Sequence, residues 1–210
     1  MIHIFHGFLG SPADFSFLHS DGPIFLHDVY ETDPLTLKIG QDDTLIGYSM
    51  GGRIAMEIAH KNKFNIKKLV IINSHPGLPE SERKDRSLWE DSVLKRLIEA
   101  TPETFLAYWN SLPLFSTDSP LTELSLEKYA KSEKIFDKYR LSRQRCFLPE
   151  LEANRDKVLW IAGTQDRKYA EIARSLILPL NIPCIFMEGG HRLYQKKTEL
   201  QALLQTRKII

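Results

Sequence analysis

The sequence predicts an α/β fold, a mostly parallel sheet with an inserted helical segment, and three observations carry that prediction. Short apolar runs, several of them β-branched, recur at residues 2–5, 24–29, 44–48, 67–73, 158–163 and 182–187. Runs of that length and character suit strands buried on both faces of a parallel sheet. Helix-periodic stretches separate several of them, as parallel crossovers require. The third observation is Ile46-Gly47-Tyr48-Ser49-Met50-Gly51-Gly52-Arg53, an apolar run that breaks into Gly-X-Ser-X-Gly and continues as a helix. With 210 residues, 42% hydrophobic and 26% charged, the chain reads as one domain over residues 1–210, with a helical lid subdomain inserted at about 79–152.

Composition narrows the function classes. A formal charge of +1 gives no electrostatic case for nucleic acid or a membrane surface. Small-molecule ligands are the expected partners. Cys146 and Cys184 lie in unrelated segments without metal-ligand spacing, so they read as ordinary thiols in a reducing compartment. No basic leader precedes a long apolar core, and no segment reaches the ~18 apolar residues needed to cross a bilayer. The cytoplasm is the expected location.

Each element has its own local reason. Residues 44–48 form a strand, and Ile54, Ala55, Met56, Ile58 and Ala59 recur with helical spacing beyond it, so Ser49 falls on the turn between them. Such a turn is strained, and glycines at Gly47 and Gly51 keep neighbouring backbone from colliding; together they form a nucleophile elbow. The first strand, residues 2–5, ends in His6-Gly7-Phe8-Leu9-Gly10-Ser11. In an α/β-hydrolase sheet that loop supplies one oxyanion-hole amide and the residue after the nucleophile supplies the other, here Phe8 and Met50. His6 is a candidate for positioning the loop backbone. Residues 31–43 are too polar and too short for a long crossover helix, which leaves the link into the Ser49 strand unusual. The strand at 67–73 should pair with it, and His75 just beyond could line the site. From residue 80 the chain turns helical and amphipathic: Leu88, Trp89, Val93, Leu94, Leu97 and Ile98 mark one apolar face, Phe105, Leu106, Tyr108 and Trp109 another. This is more helix than one crossover needs, hence the expected lid over the carboxyl ends of the strands.

Asp166 follows the strand at 158–163, and His191 follows the strand at 182–187 through Gly189-Gly190. Aspartate after a strand is a common turn or cap residue, and a histidine there can be a satisfied surface residue. The chain order Ser49, Asp166, His191 at three strand ends is that of an α/β-hydrolase triad. The fold expected is therefore an α/β-hydrolase fold, without an amino-terminal hairpin before the first strand. A helix is expected over about residues 169–178, and a closing helix from about residue 199.

His6-Gly7-Phe8-Leu9-Gly10, Gly47-Tyr48-Ser49-Met50-Gly51-Gly52-Arg53, His75-Pro76-Gly77-Leu78 with Glu82-Arg83-Lys84-Asp85-Arg86, and Gly163-Thr164-Gln165-Asp166-Arg167-Lys168 together resemble the 2-succinyl-6-hydroxy-2,4-cyclohexadiene-1-carboxylate (SHCHC) synthases of menaquinone biosynthesis. The arginine after the double glycine and the Pro-Gly-Leu plus Glu-Arg stretch are the specific parts. The resemblance implies a lyase that eliminates pyruvate from a succinyl-carrying cyclohexene precursor. It implies that Ser49, activated by His191, removes a proton and forms no acyl-enzyme, with no cofactor or metal. A polycarboxylate needs fixed cations, and guanidinium binds carboxylate bidentately. Arg53 is one candidate and, by the family's pattern, Arg86 the second, with Arg83 competing for that role. Tyr48 and Trp109 would complete the pocket. The short interval from His6 to Ser49 departs from the family and bears on one pocket wall.

Two other classes stay open. A carboxylesterase or thioesterase would use Ser49 as a nucleophile through an acyl-enzyme. A non-enzymatic receptor on the same fold is the other, against which an intact triad argues.

Overall fold

The computed structural model of the chain describes all of residues 1–210. Six strands, β1 (Ile2–Phe5), β2 (Ile24–His27), β3 (Thr44–Tyr48), β4 (Lys68–Ile72), β5 (Val158–Gly163) and β6 (Cys184–Met187), form one sheet in the order β2-β1-β3-β4-β5-β6. Every pairing is parallel. The carboxyl ends of all six strands therefore share one edge, where ligands bind in such sheets.

Alternation within the strands builds two cores. Leu45, Leu69, Ile71, Val158, Trp160 and Ala162 face the helix α1 (Met50–Lys61) together with Phe147, Leu151, Ala173 and Ile177. Ile46, Val70, Ile72, Leu159 and Ile161 face Phe15, Tyr194 and the apolar side of the closing helix α7 (Lys197–Thr206), through Leu200 and Leu204. Strands buried on both faces have no polar side to show, which is why they read as continuous apolar runs.

The odd interval between β1 and β3 has a simple resolution. β2 lies outside β1, so the chain leaves β1, pairs at the edge and crosses back over β1 to β3. Both links are built from loop and single 3₁₀ turns, Pro12–Phe15 and Pro34–Thr36, with no α-helix. β2 is half-buried apart from the exposed Phe25, and it stops short of the expected residue 29. An edge strand pairs on one side only, so its ladder ends sooner.

Between β4 and β5 lie α2 (Glu80–Glu99), α3 (Pro102–Asn110), α4 (Leu126–Lys138) and α5 (Leu148–Ala153). The first three share a separate core of Val93, Leu97, Phe105, Leu106, Trp109, Phe115 and Phe136, which also takes in Leu9 from the loop after β1. The helix expected over 169–178 starts earlier and is shorter: α6 (Arg167–Ile172) runs into a wider π turn at Ala173–Ile177. Pro179 then lies in a 3₁₀ turn, because it cannot donate the amide that an α-helix would need there. No helix is long and apolar enough to cross a membrane.

Candidate active site

The site is assembled from strand ends. Ser49 follows β3 directly and takes φ 52°, ψ −115°, a conformation that L-residues avoid and that turns the chain sharply into α1. The turn is possible because neighbouring backbone can come very close. A Cβ at Gly51 would lie 2.0 Å from the Phe5 carbonyl oxygen, and one at Gly47 would lie 2.4 Å from the Gly51 carbonyl oxygen. Ser74, just past β4, donates from Oγ to the Ser49 carbonyl at 2.6 Å and ties the elbow to the next strand.

His191 and Asp166 meet this serine. His191 Nδ1 lies 2.6 Å from Asp166 Oδ2, and His191 Nε2 lies 3.0 Å from Ser49 Oγ. With Nδ1–H donating to the carboxylate, Nε2 is left to accept from the serine hydroxyl. Asp166 is also the N-cap of α6, its Oδ1 accepting from the Tyr169 amide at 3.1 Å. The bland cap role and the triad position thus belong to the same residue. Both Asp166 and His191 are buried.

The loop after β1 presents its amides to the same place. His6 Nδ1 lies 2.8 Å from the Gly7 carbonyl, and the Val29 amide donates to His6 Nε2 at 3.2 Å. Leu9 adopts φ 60° and donates its amide to the Tyr30 hydroxyl at 2.9 Å. The loop is therefore pinned on both sides of Phe8, whose own amide finds no acceptor in the protein. Met50 opens α1, so its amide has no intrahelical acceptor either. Phe8 and Met50 both line the cavity over Ser49.

That cavity has a volume of about 370 Å³ and is walled mostly by hydrophobic side chains, Trp109, Tyr48, Leu114 and Phe136 among them. Trp109 meets Phe8 edge-on at 5.1 Å, and Tyr48 lies 5.3 Å from the His191 ring. Against this apolar wall stand Arg53, Arg86, Lys168 and Arg192, the last tied through its guanidinium to the Ser119 carbonyl and Asn110 Oδ1. Arg53 donates from Nη1 to the Tyr139 carbonyl, and burial, with Arg86 nearby, pulls its guanidinium down to about 10. Arg86 lies over the Trp89 ring at 4.3 Å and bonds through Nε to Glu90 Oε1 at 2.8 Å. Arg83 instead reaches Glu80 at 3.2 Å and does not line the cavity. Of the two arginines, only Arg86 faces the cavity over Ser49. His75 stays outside the cavity, its Nδ1 accepting from the Gly77 amide, and lines a neighbouring pocket with Arg86 and Lys168.

The structure adds residues that sequence reading passed over. Asn73, past the end of β4, donates from Nδ2 to the carbonyls of Gly190 and His191 at 3.0 and 2.8 Å and accepts from the Gly163 amide at 2.8 Å, fastening the His191 loop to β5. Asp118, between α3 and α4, accepts from the amides of His191 and Arg192 at 3.1 Å each. Glu90, nearly inaccessible on a strongly charged helix, accepts from Arg86, from the amides of Leu141 and Ser142, and from Ser142 Oγ. Burial opposes its ionisation, but these donors outweigh it and hold the carboxyl below its ordinary value. An asparagine closing a β-branched run was a readable signal; a glutamate inside a Glu/Lys/Arg-rich helix was not.

No protein-family model matches the chain. Among curated proteins it is similar to the 2-succinyl-6-hydroxy-2,4-cyclohexadiene-1-carboxylate synthases of Klebsiella pneumoniae (27% identity over 72% of this chain) and Serratia proteamaculans (27% over 70%). It spans only 62% and 60% of those proteins' own lengths. Among solved structures, MenH from S. aureus matches with a TM-score of 0.75 and 22% identity, over 98% of this chain and 92% of that one. A carboxylesterase structure from Nitrososphaera gargenis matches with 0.64 at 14% identity, over 98% and 88%. A bacterial membrane phospholipase A gives 0.61 at 19%, over 98% and 77%. The same fold thus carries unrelated chemistries, so the fold alone does not choose among them. The chain has the α/β-hydrolase fold and is similar in sequence to the SHCHC synthases.

Proposed function

We propose that the chain is a carbon–oxygen lyase of menaquinone biosynthesis, eliminating pyruvate from a succinyl-hydroxycyclohexene-dicarboxylate precursor to give SHCHC. The observation that carries this reading is the set of cations, Arg53, Arg86, Lys168 and Arg192, set into a mostly hydrophobic cavity beside Ser49. An esterase for neutral substrates has no use for such charges, whereas a substrate with several carboxylates must be paired with them once desolvated.

In this reading His191 Nε2 takes the Ser49 hydroxyl proton, and Ser49 Oγ removes a ring C–H proton. The C–H electron pair becomes the new ring double bond as the C–O bond to the pyruvate leaving group breaks, and the proton passes on to that leaving group. Asp166 stabilises the imidazolium that forms, and the free amides of Phe8 and Met50 face oxygen that gains charge. The helical segment 80–153 acts as a lid: it supplies Arg86 and Trp109 and excludes water from the charged contacts. A thioesterase or carboxylesterase is the second reading, favoured by the same two amides.

The test is turnover of the cyclohexene precursor, followed by pyruvate release through a coupled dehydrogenase and by mass spectrometry of quenched protein. Pyruvate formed in step with SHCHC, and protein of unmodified mass throughout, are expected. A stoichiometric acyl adduct with a kinetic burst would transfer the chain to the esterase reading.

A further inference from the structure

Four successive amides of the loop after β1 differ in one respect. Those of Leu9, Gly10 and Ser11 donate to the Tyr30 hydroxyl at 2.9 Å, the Gly7 carbonyl at 3.1 Å and Asp14 Oδ2 at 3.0 Å, while that of Phe8 has no acceptor in the protein and borders the cavity over Ser49. A trans peptide is rigid and planar, so its carbonyl and amide point in opposite directions and move together. The Phe8 amide is therefore aimed by whatever holds the Gly7 carbonyl, which takes bonds from the Gly10 amide and the His6 ring. The Gly10 amide reaches that carbonyl only while Leu9 stays at φ 60°, a left-handed conformation that residues other than glycine avoid. Two side chains hold the turn in this state. Tyr30, just past β2, accepts the Leu9 amide, and burial pushes its phenol up, so that it stays a neutral hydroxyl. Lys128 lies in the first turn of α4, where the helix dipole disfavours a cation. Its ammonium nevertheless donates to the Gly10 carbonyl at 3.0 Å and lies 5.6 Å from the centre of the Tyr30 ring. Lys131 and Lys138, farther along α4, pair with Glu31 and Asp33 at 2.7 and 2.9 Å. Of these three lysines only Lys128 bonds to the loop that carries Phe8.

We propose that Tyr30 and Lys128 are positioning residues, a clamp that holds the turn from Gly7 to Gly10 so that the free Phe8 amide meets oxygen gaining charge above Ser49. The inference rests on the role given to that amide above, which the lyase and esterase readings share. It ties α4 to the chemistry: a helix that supplies none of the cavity's cations sets the aim of a donor beside the serine. A donor aimed at developing charge acts in the transition state more than in the ground state, so loss of the clamp should appear in kcat and leave KM almost alone.

The experiment compares wild type with Tyr30→Phe, Lys128→Met, Lys128→Arg and Lys131→Met in two assays. One is steady-state turnover of the cyclohexene precursor; the other is inactivation by diisopropyl fluorophosphate, whose phosphoryl oxygen gains charge as Ser49 attacks. Tyr30→Phe should lower kcat roughly 10- to 100-fold and Lys128→Met roughly 3- to 30-fold, each with KM within about twofold, and inactivation should slow by similar factors. Lys128→Arg should recover most of the loss, because a guanidinium can donate to the same carbonyl. Lys131→Met gives up an ion pair on the same helix but no bond to the loop, and should keep wild-type rates in both assays. If thermal melting shows Tyr30→Phe to be unfolded, Lys128→Met decides alone. Wild-type kcat in Lys128→Met, a loss confined to KM, or an equal loss in Lys131→Met overturns the proposal. Pyruvate release that depends on neither clamp residue sinks the clamp and leaves the lyase standing. Clamp-dependent inactivation of a protein that releases no pyruvate sinks the lyase and leaves the clamp standing. A wild type inert in both assays overturns the two together.

Discussion

Ser49 and Arg86 face the same cavity but are held there by different means. Ser49, Asp166, His191 and the Phe8 amide each hang from the end of a strand, and parallel pairing brings those ends to one edge whatever the surface side chains are. Their fine placement is backbone work: a positive φ at Ser49, the Asn73 and Ser74 bonds to carbonyls, and a loop pinned through His6 and Tyr30. Arg86 belongs to α2, whose buried apolar residues pack into the separate helical core and not into either core of the sheet. It is fixed by Glu90, whose other oxygen holds Ser142 at 2.5 Å, so one carboxylate joins α2 to the segment before α5. Ser49, Asp166 and His191 are placed by the frame, whereas Arg86 is placed by Glu90 on its own helix, which a residue distant in sequence, Ser142, holds in turn. The first kind of placement is robust and cooperative; the second can be undone one partner at a time.

That contrast breaks most sharply at the triad. Ser49→Ala or His191→Ala should each lower kcat on the precursor by ~10³ or more, and the double variant should cost little beyond either single one, because the pair acts as a unit. Additive losses, read from single-turnover kinetics, would mean that the 3.0 Å contact between them is not used in the reaction.

Arg86 should show the opposite signature. Truncation to alanine is expected to cost ~2–4 kcal/mol of transition-state binding, roughly 30- to 1000-fold in kcat/KM for the carboxylate-rich precursor, with hydrolysis of a neutral activated ester nearly unchanged. Lysine should restore only part, lacking the planar fork. Equal losses on both substrates would make Arg86 a structural support for the helices instead.

Glu90→Gln sharpens the comparison by loosening the binding side alone. It keeps the volume and one acceptor but gives up the charge that answers Arg86. Urea unfolding should show a loss of ~1–3 kcal/mol, and KM should rise more than kcat falls. A lower kcat at unchanged KM would place Glu90 with the reacting groups. The smallest effect belongs to Arg83→Ala, within ~±0.5 kcal/mol in stability and without change in kcat/KM, as expected of a half-buried helix residue whose ion-pair partner, Glu80, is exposed and which does not line the cavity.

Much of the frame was legible in the chain before any coordinates. The apolar strands, the Gly-X-Ser-X-Gly elbow and the order Ser49, Asp166, His191 are local patterns or follow from one, since a residue just past a parallel strand has only one edge on which to appear. The loop after β1 was readable for the same reason, and His6 as its anchor. What failed locally had local causes. The expected helix over 169–178 is interrupted by a π turn that answers to core packing of Ala173 and Ile177, and β2 is cut short by its edge position.

The choice between Arg83 and Arg86 could not be made from a helix in which both sit among charges of either sign. Facing direction depends on where α2 packs, and that is set by Val93 and Leu97 meeting Phe105, Phe136 and Leu9 from other parts of the chain. The burial of Glu90 against Ser142 and Leu141, the closure of Asp118 on the His191 loop and the convergence of Lys168 with Arg53 and Arg86 are contacts between segments far apart in sequence. Charged side chains carry no periodic signal of their partners, because a salt bridge needs only that two groups meet, whatever their separation along the chain. By itself the sequence determined the sheet, its reactive edge and the identity of the groups hung there, since hydrophobic period and glycine geometry act over a few residues. Only the tertiary structure decided which cations face that edge, because that depends on how the helices dock over it.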